Sequence, residues 1–245
     1  MRKFPREFSD LLTPHGRSVL NGEEGSACSL FNGSKKYFVI LEDLIEKEKA
    51  DSCLRLLDEH VYPLLAPIRR AIPRESITGM KENYEEALPK TVRAKTAYLR
   101  RRSARSFRAA EKIGLLDMMR SESFVRFVES VSGLGLDHSG WGYQVLCYEH
   151  GDYAGPHNDH HPENEDYRDG FVDFHIMFTN EAVDHHWLVY QNNWHLSEIA
   201  NINLQGAVSV YKLPFWHYTT PLVAKAGREH EARRWLLLGT FRIKR

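Results

Sequence analysis

Residues 154–161 read AGPHNDHH. Three imidazoles, a carboxylate and a carboxamide fall within five positions, and imidazole and carboxylate are donors that transition metals take. In a helix, His157 and His161 would share a face four residues apart, as in zinc proteases. Asn158 stands where those sites need a glutamate, and Pro156 and Pro162 turn the residues before them away from helix. In a strand, alternate side chains share a face. His157 and Asp159 would then point the same way, about 6–7 Å apart at the backbone, with Asn158 and His160 on the other side. His161 would lie one step beyond the carboxylate. One more imidazole would complete a two-histidine, one-carboxylate face on a metal, leaving the other octahedral positions open to a chelating ligand and O2. For the pentapeptide alone, a polar loop with chance histidines is the plain alternative.

The downstream imidazoles are His175, His185, His186, His195, His217 and His230. His217 stands out because it closes SVYKLPFWHYTTPL, a strand-like run broken by a proline. Seventeen positions later Arg234 opens RWLLLGTF, a strand with apolar alternate positions. An arginine buried in such a strand needs an anion, and its planar fork suits a carboxylate held by two hydrogen bonds. ARRW offers Arg233 as well, on the opposite face with Trp235 and Leu237, whereas Arg234 shares its face with Leu236 and Leu238. His175 shares a face with Asp173 and is either a pocket or a core histidine. His185 and His186 are expected to face solvent.

The set of HND, a histidine 60 residues on and a trailing arginine resembles the Fe(II)/2-oxoglutarate-dependent oxygenases, and is most similar to their prolyl-hydroxylase-like branch. The motifs lie in residues 140–245, with a weaker likeness in KYFVILEDLI and the helix after it. The resemblance implies a double-stranded β-helix, or jelly-roll, with helices supporting one sheet. It implies that His157, Asp159 and His217 ligate Fe(II), and that Arg234 pairs with the far carboxylate of 2-oxoglutarate. Tyr148, in CYEHGDYAGPHND, is at a position that commonly lines the co-substrate pocket. The implied activity is hydroxylation of a C–H bond with O2, giving succinate and CO2. Related halogenases replace the carboxylate ligand with a small residue, so Asp159 favours hydroxylation. The segment VAKAGREHEA makes the interval from His217 to the arginine longer than in tightly spaced members.

These residues need elements to hold them. After Gly140 the chain is a series of short aromatic and β-branched runs punctuated by Gly, Asn, Asp and Pro, the texture of a sandwich or barrel. Before it, helical spacing predicts a helix over 46–62. A second is predicted in SESFVRFVESVSG, where Phe124, Phe127, Val128 and Val131 recur on one face and Gly133 suits the C′ position. The expected organisation is α+β: an N-terminal arm or loop over 1–35, then one domain over 36–245. In that domain 36–139 is mainly helical support and 140–245 the β-helix core. Eight Lys or Arg between Lys90 and Arg108 read as a solvated face of a strand–helix unit, with a nucleic-acid track as the alternative.

The totals suit an ordinary soluble globular protein. A chain of 245 residues with 42% hydrophobic and 27% charged residues can bury a core without disulfides. Its formal net charge of zero argues for neither nucleic acid nor an anionic membrane as partner. Three separated cysteines and a start without an apolar run suggest a cytoplasmic protein. Of 13 histidines, 11 lie from His138 onward, which places the chemistry in the second half. A small-molecule substrate, such as an amino acid or natural-product intermediate, is expected. A peptidyl or nucleic-acid substrate, or a non-enzymatic metal-binding module of cupin type, are the rivals. The last of these has no need for Arg234.

Overall fold

The computed structural model describes residues 3–23, 38–71, 91–137, 143–158, 170–192, 195–213 and 216–244. The helices are α1 (Pro14–Leu20), α2 (Lys47–His60), α3 (Arg105–Lys112), α4 (Leu115–Met119) and α5 (Glu122–Ser132). The strands of the first half are β1 (Phe38–Leu41), β2 (Ala66–Ala71), β3 (Thr91–Tyr98) and β4 (Leu136–Asp137). Next come β5 (Tyr143–Tyr148), β6 (Tyr153–Ala154), β7 (Phe171–Thr179), β8 (Val183–His185) and β9 (Trp187–Asn192). The last are β10 (His195–Asn201), β11 (Val208–Leu213), β12 (His217–Thr219), β13 (Val223–Ala224) and β14 (Arg234–Ile243).

A large sheet runs β1-β11-β7-β14-β5-β3-β2, with β4 against β14 and β6 against β3. A smaller sheet runs β10-β9-β12, and β13 pairs with β8. Every described pairing is antiparallel. This is the jelly-roll, double-stranded β-helix arrangement that the resemblance implies.

Alternation along the strands makes two cores. In β14, Trp235, Leu237 and Phe241 turn towards the helices and join Phe124, Phe127, Val128 and Val131 of α5. Leu236 turns the other way and joins Leu188 of β9 and Tyr211 of β11. Each large apolar side chain buried this way contributes about 1.5–3 kcal/mol. The register of the sheet is therefore set on both faces at once. At the helix-side surface, Trp235 Nε1 donates to Asp58 Oδ1 of α2 at 2.8 Å. Among the described residues, no helix is long and apolar enough to cross a membrane.

The two predicted helices form at α2 and α5. Ser121 caps α5 by accepting from Phe124 N, and Gly133 ends it at φ 65°, a left-handed conformation that favours glycine. The organisation of the first half departs from expectation in two respects. Residues 3–23 are not a loose arm: Phe4, Phe8, Leu11, Leu12 and Val19 are buried in the helix-side core. Phe8 packs edge-on against Phe124 at 5.5 Å and Phe127 at 5.2 Å. The boundary expected at residue 35 lies outside the described residues. Nor is 36–139 only helical support, because β1, β2 and β3 belong to the large sheet and supply strands at both of its sides. The basic run divides between β3 and the turn into α3, and Arg93, Arg100, Arg101, Arg102, Arg105 and Arg108 are exposed.

Ser121 joins the N-terminal segment to α5, since its Oγ also accepts from Phe8 N at 3.1 Å. Ser121→Ala removes a helix cap and orphans a buried amide. Unfolding in denaturant should show a loss of about 1–2 kcal/mol with an unchanged slope.

Candidate functional site

One cavity of about 340 Å³ lies between the inner face of the large sheet and the smaller sheet. His157, His217, Tyr148 and Arg234 all border it. Asp159, His160 and His161 lie outside the described residues.

The histidines meet through the backbone. His157 and His217 form an isolated antiparallel bridge, with His157 N to His217 O at 3.0 Å and the reciprocal bond at 3.1 Å. β12 carries His217 and pairs with β9, where His217 lies opposite Tyr190. A second tie runs from Ala154 N of β6 to Thr219 Oγ1 of β12 at 2.8 Å. The two imidazole rings consequently lie with centroids 4.4 Å apart. His157 Nδ1 is 2.6 Å from Gly155 O. That carbonyl accepts a proton on Nδ1, which fixes the tautomer and leaves Nε2 with its lone pair.

Arg234 is at the other end of the site and is 2% exposed. Its Nε donates to Ile202 O at 2.6 Å, which aims the terminal nitrogens elsewhere. No carboxylate of a described residue pairs with it. Burial pulls the guanidinium below its ordinary pKa, with Tyr148 and Tyr211 acting in the other direction. The guanidinium carbon lies 5.7 Å from the centroid of the Tyr148 ring. Arg233 is on the opposite face, over the Tyr62 ring at 4.3 Å. Alternation therefore sends Arg234 into the cavity and Arg233 towards α2.

His175, left open between pocket and core, borders the cavity with its ring 4.5 Å from that of Tyr211. Asn158 was expected on the face away from His157, yet it is 3% exposed and borders the same cavity. Among residues 155–158 His157 is bridged and Asn158 is in no strand, so strand alternation does not fix the side of Asn158. His186 was expected in solvent and is fully buried, with its ring 5.1 Å from Tyr148. It precedes β9, on the face of the buried Leu188 two residues on, and that parity is the sequence signal for its burial. Burial, and then the charge of Arg234, hold its imidazole well below the usual value. His186 is thus neutral beside a buried cation. Its carbonyl accepts from Ile202 N at 3.0 Å and so helps place the Ile202 carbonyl that holds Arg234.

Two imidazoles side by side suit Fe(II) as two of three protein donors. Among the described residues, no group of three His, Cys, Asp or Glu side chains could hold a metal ion. The third donor expected from the sequence, Asp159, follows His157 by two positions and lies outside them.

A neutral His186 also makes stability depend on pH. The unfolded chain takes up a proton near the ordinary imidazole value of about 6.5, whereas the native chain does not. His186 therefore has no effect above that pH and lowers stability as pH falls below it, by at most about 1.4 kcal/mol per pH unit. His186→Gln should flatten that part of a stability–pH curve measured by urea unfolding.

No protein-family model matches the sequence, and no curated protein matches it. Solved structures do match the fold. An oxidoreductase of the 2OG-Fe(II) oxygenase family from Burkholderia pseudomallei aligns with TM-score 0.57 and 13% identity, over 88% of this chain and 89% of that one. A prolyl hydroxylase from Trichoplax adhaerens, in complex with a peptide fragment of the hypoxia inducible factor oxygen degradation domain, aligns with TM-score 0.52 and 15% identity. That alignment covers 92% of this chain and 93% of the other. The non-haem α-ketoglutarate-dependent epimerase SnoN of nogalamycin biosynthesis aligns with TM-score 0.55 and 10% identity, over 92% and 84%. The chain thus shares its fold with these three structures.

Proposed function

We propose that the chain is an Fe(II)- and 2-oxoglutarate-dependent dioxygenase that hydroxylates a C–H bond of a small molecule. The observation that carries this is Arg234: a guanidinium buried in a cavity wall, with no carboxylate partner among the described residues. A buried, unpaired charge costs several kcal/mol, so such a site is built for an anion that arrives from outside. The far carboxylate of 2-oxoglutarate supplies one and suits the arginine's fork. A purely metal-binding module would leave Arg234 without a purpose.

In this reading His157, Asp159 and His217 hold Fe(II), and Arg234 and Tyr148 orient the co-substrate. When bound, the metal supplies the coupling of oxidative decarboxylation of 2-oxoglutarate to substrate hydroxylation by O2. The chain contributes position and exclusion of water. The Gly155 carbonyl keeps the His157 lone pair on Nε2, the Ile202 carbonyl fixes the arginine, and the apolar Leu188, Leu236 and Leu238 line the space between the sheets. The cavity volume falls in the range of small-molecule sites and favours such a substrate over a polymer.

Anaerobic addition of Fe(II) and 2-oxoglutarate should give a weak visible charge-transfer band, and its absence in the wild-type protein would overturn the reading. Asp159→Ala should abolish hydroxylation, read as loss of oxygenated product. Arg234→Lys should weaken 2-oxoglutarate binding by about tenfold or more, because a point ammonium cannot replace a fork. Arg233→Lys should leave that binding unchanged by calorimetry.

A further inference from the structure

We infer that the substrate is an anion, a small molecule bearing a carboxylate or phosphate on an apolar body, and that Arg70 recognises that group. The inference rests on the dioxygenase reading for the name "substrate", though its test does not need turnover.

Arg70 and Ile68 are two apart on β2 and both border the cavity, whereas Arg69 between them is not among its lining residues. Arg69 lies opposite Arg93 of β3, and Arg93 is paired with Asp152 at 2.9 Å. The two adjacent arginines of β2 are thereby separated in role by the pleat. Arg70 is exposed and pairs with no carboxylate among the described residues.

Sheet register places Arg70 relative to the two ends of the site. It lies opposite Val92, Val92 lies opposite Ala154, and His157 follows three residues later. Arg70 therefore stands on the flank of the cavity that leads to the paired histidines. Arg234 is three strands away in the order β14-β5-β3-β2, about 14 Å across the sheet at the usual strand spacing. Arg100, the third arginine of the lining, follows the β3 end where Tyr98 faces Gln144, eight residues along the chain from the Val92 that faces Arg70. With Arg234 given to the co-substrate, Arg70 is the cation on the histidine flank that is left for a second ligand.

The remaining lining fixes the chemical class. Among the described lining residues Asp173 is the one carboxylate, and it lies opposite Thr240, six residues along β14 from Arg234. The Arg70 flank has no described acid to hold an ammonium group. Ile68 and Val92 give it an apolar surface beside the guanidinium. A ligand anchored by its anion at Arg70 lays an apolar body over these two side chains, towards His157.

Calorimetry on the full chain, at low salt and with saturating 2-oxoglutarate to occupy Arg234, tests this with three probes. Phenyl phosphate and benzoate should bind, and neutral benzyl alcohol should bind at least about tenfold more weakly, the scale of one charge-assisted contact. Arg70→Gln should lose about tenfold or more of the anion affinity and Arg70→Lys should retain part of it. Arg108→Gln, on α3 outside the cavity, should match wild type. Circular dichroism establishes that each variant is folded. Equal binding of benzyl alcohol, an Arg70→Gln variant that binds the anions normally, no binding of either anion, or binding only of a single-stranded oligonucleotide would each overturn the inference. Failure to bind 2-oxoglutarate at all is separate, and counts against the dioxygenase reading.

Discussion

The side-chain alternation of β14, at the centre of the large sheet, is the constraint on which the site depends. Trp235, Leu237 and Phe241 must enter the helix-side core, so Arg234, Leu236 and Leu238 must face the cavity. A slip of one residue would bury Arg233 in the cavity and expel the tryptophan from its place against α2. Packing on the far side of the sheet thus decides which arginine is available for chemistry. The apolar residues of the helix-side core set the address of Arg234 in the cavity wall.

Electrostatics then act within that frame. A buried guanidinium is tolerable because its Nε has the Ile202 carbonyl and because the imidazole of His186, whose proton affinity it lowers, is neutral. Arg234 in turn helps to keep His186 neutral, so each charge state supports the other. At the opposite end the histidine pair is held by main-chain bonds, not by side-chain partners alone. The imidazoles are brought together by the sheet itself, and an ion taken there would meet a lower ordering cost.

The sequence was legible where a period was long and local. The four apolar residues of α5 and its glycine stop define that helix without tertiary information, and the short β-branched runs announce a sandwich or barrel, which the motif resemblance narrows to a jelly-roll. The face of Arg234 follows from alternation in a strand of ten residues. Burial that depends on distant partners was hidden. Phe8 is buried by Phe124 and Phe127, more than a hundred positions later, and nothing near it in the chain says so. The edge strand β2 has mostly exposed residues and only a register with β3 makes it part of the sheet. Asn158 lies in no strand, and there alternation is a poor guide, whereas the burial of His186 follows from its parity with Leu188.

The position of β14 in the topology bears on how the chain reaches this structure. It lies between β5 and β7, both of which precede it in the sequence. Until β14 arrives, these two buried strands are unpaired edges, each with a row of open amides and carbonyls beside apolar side chains. Such edges recruit strands from other molecules. The large sheet is complete only once β14 is inserted between them, and a chain still lacking it would carry both open edges. A slow synthesis through residues 180–230 would lengthen the exposure, and chaperone capture in that interval would shield the same edges that the last strand later closes.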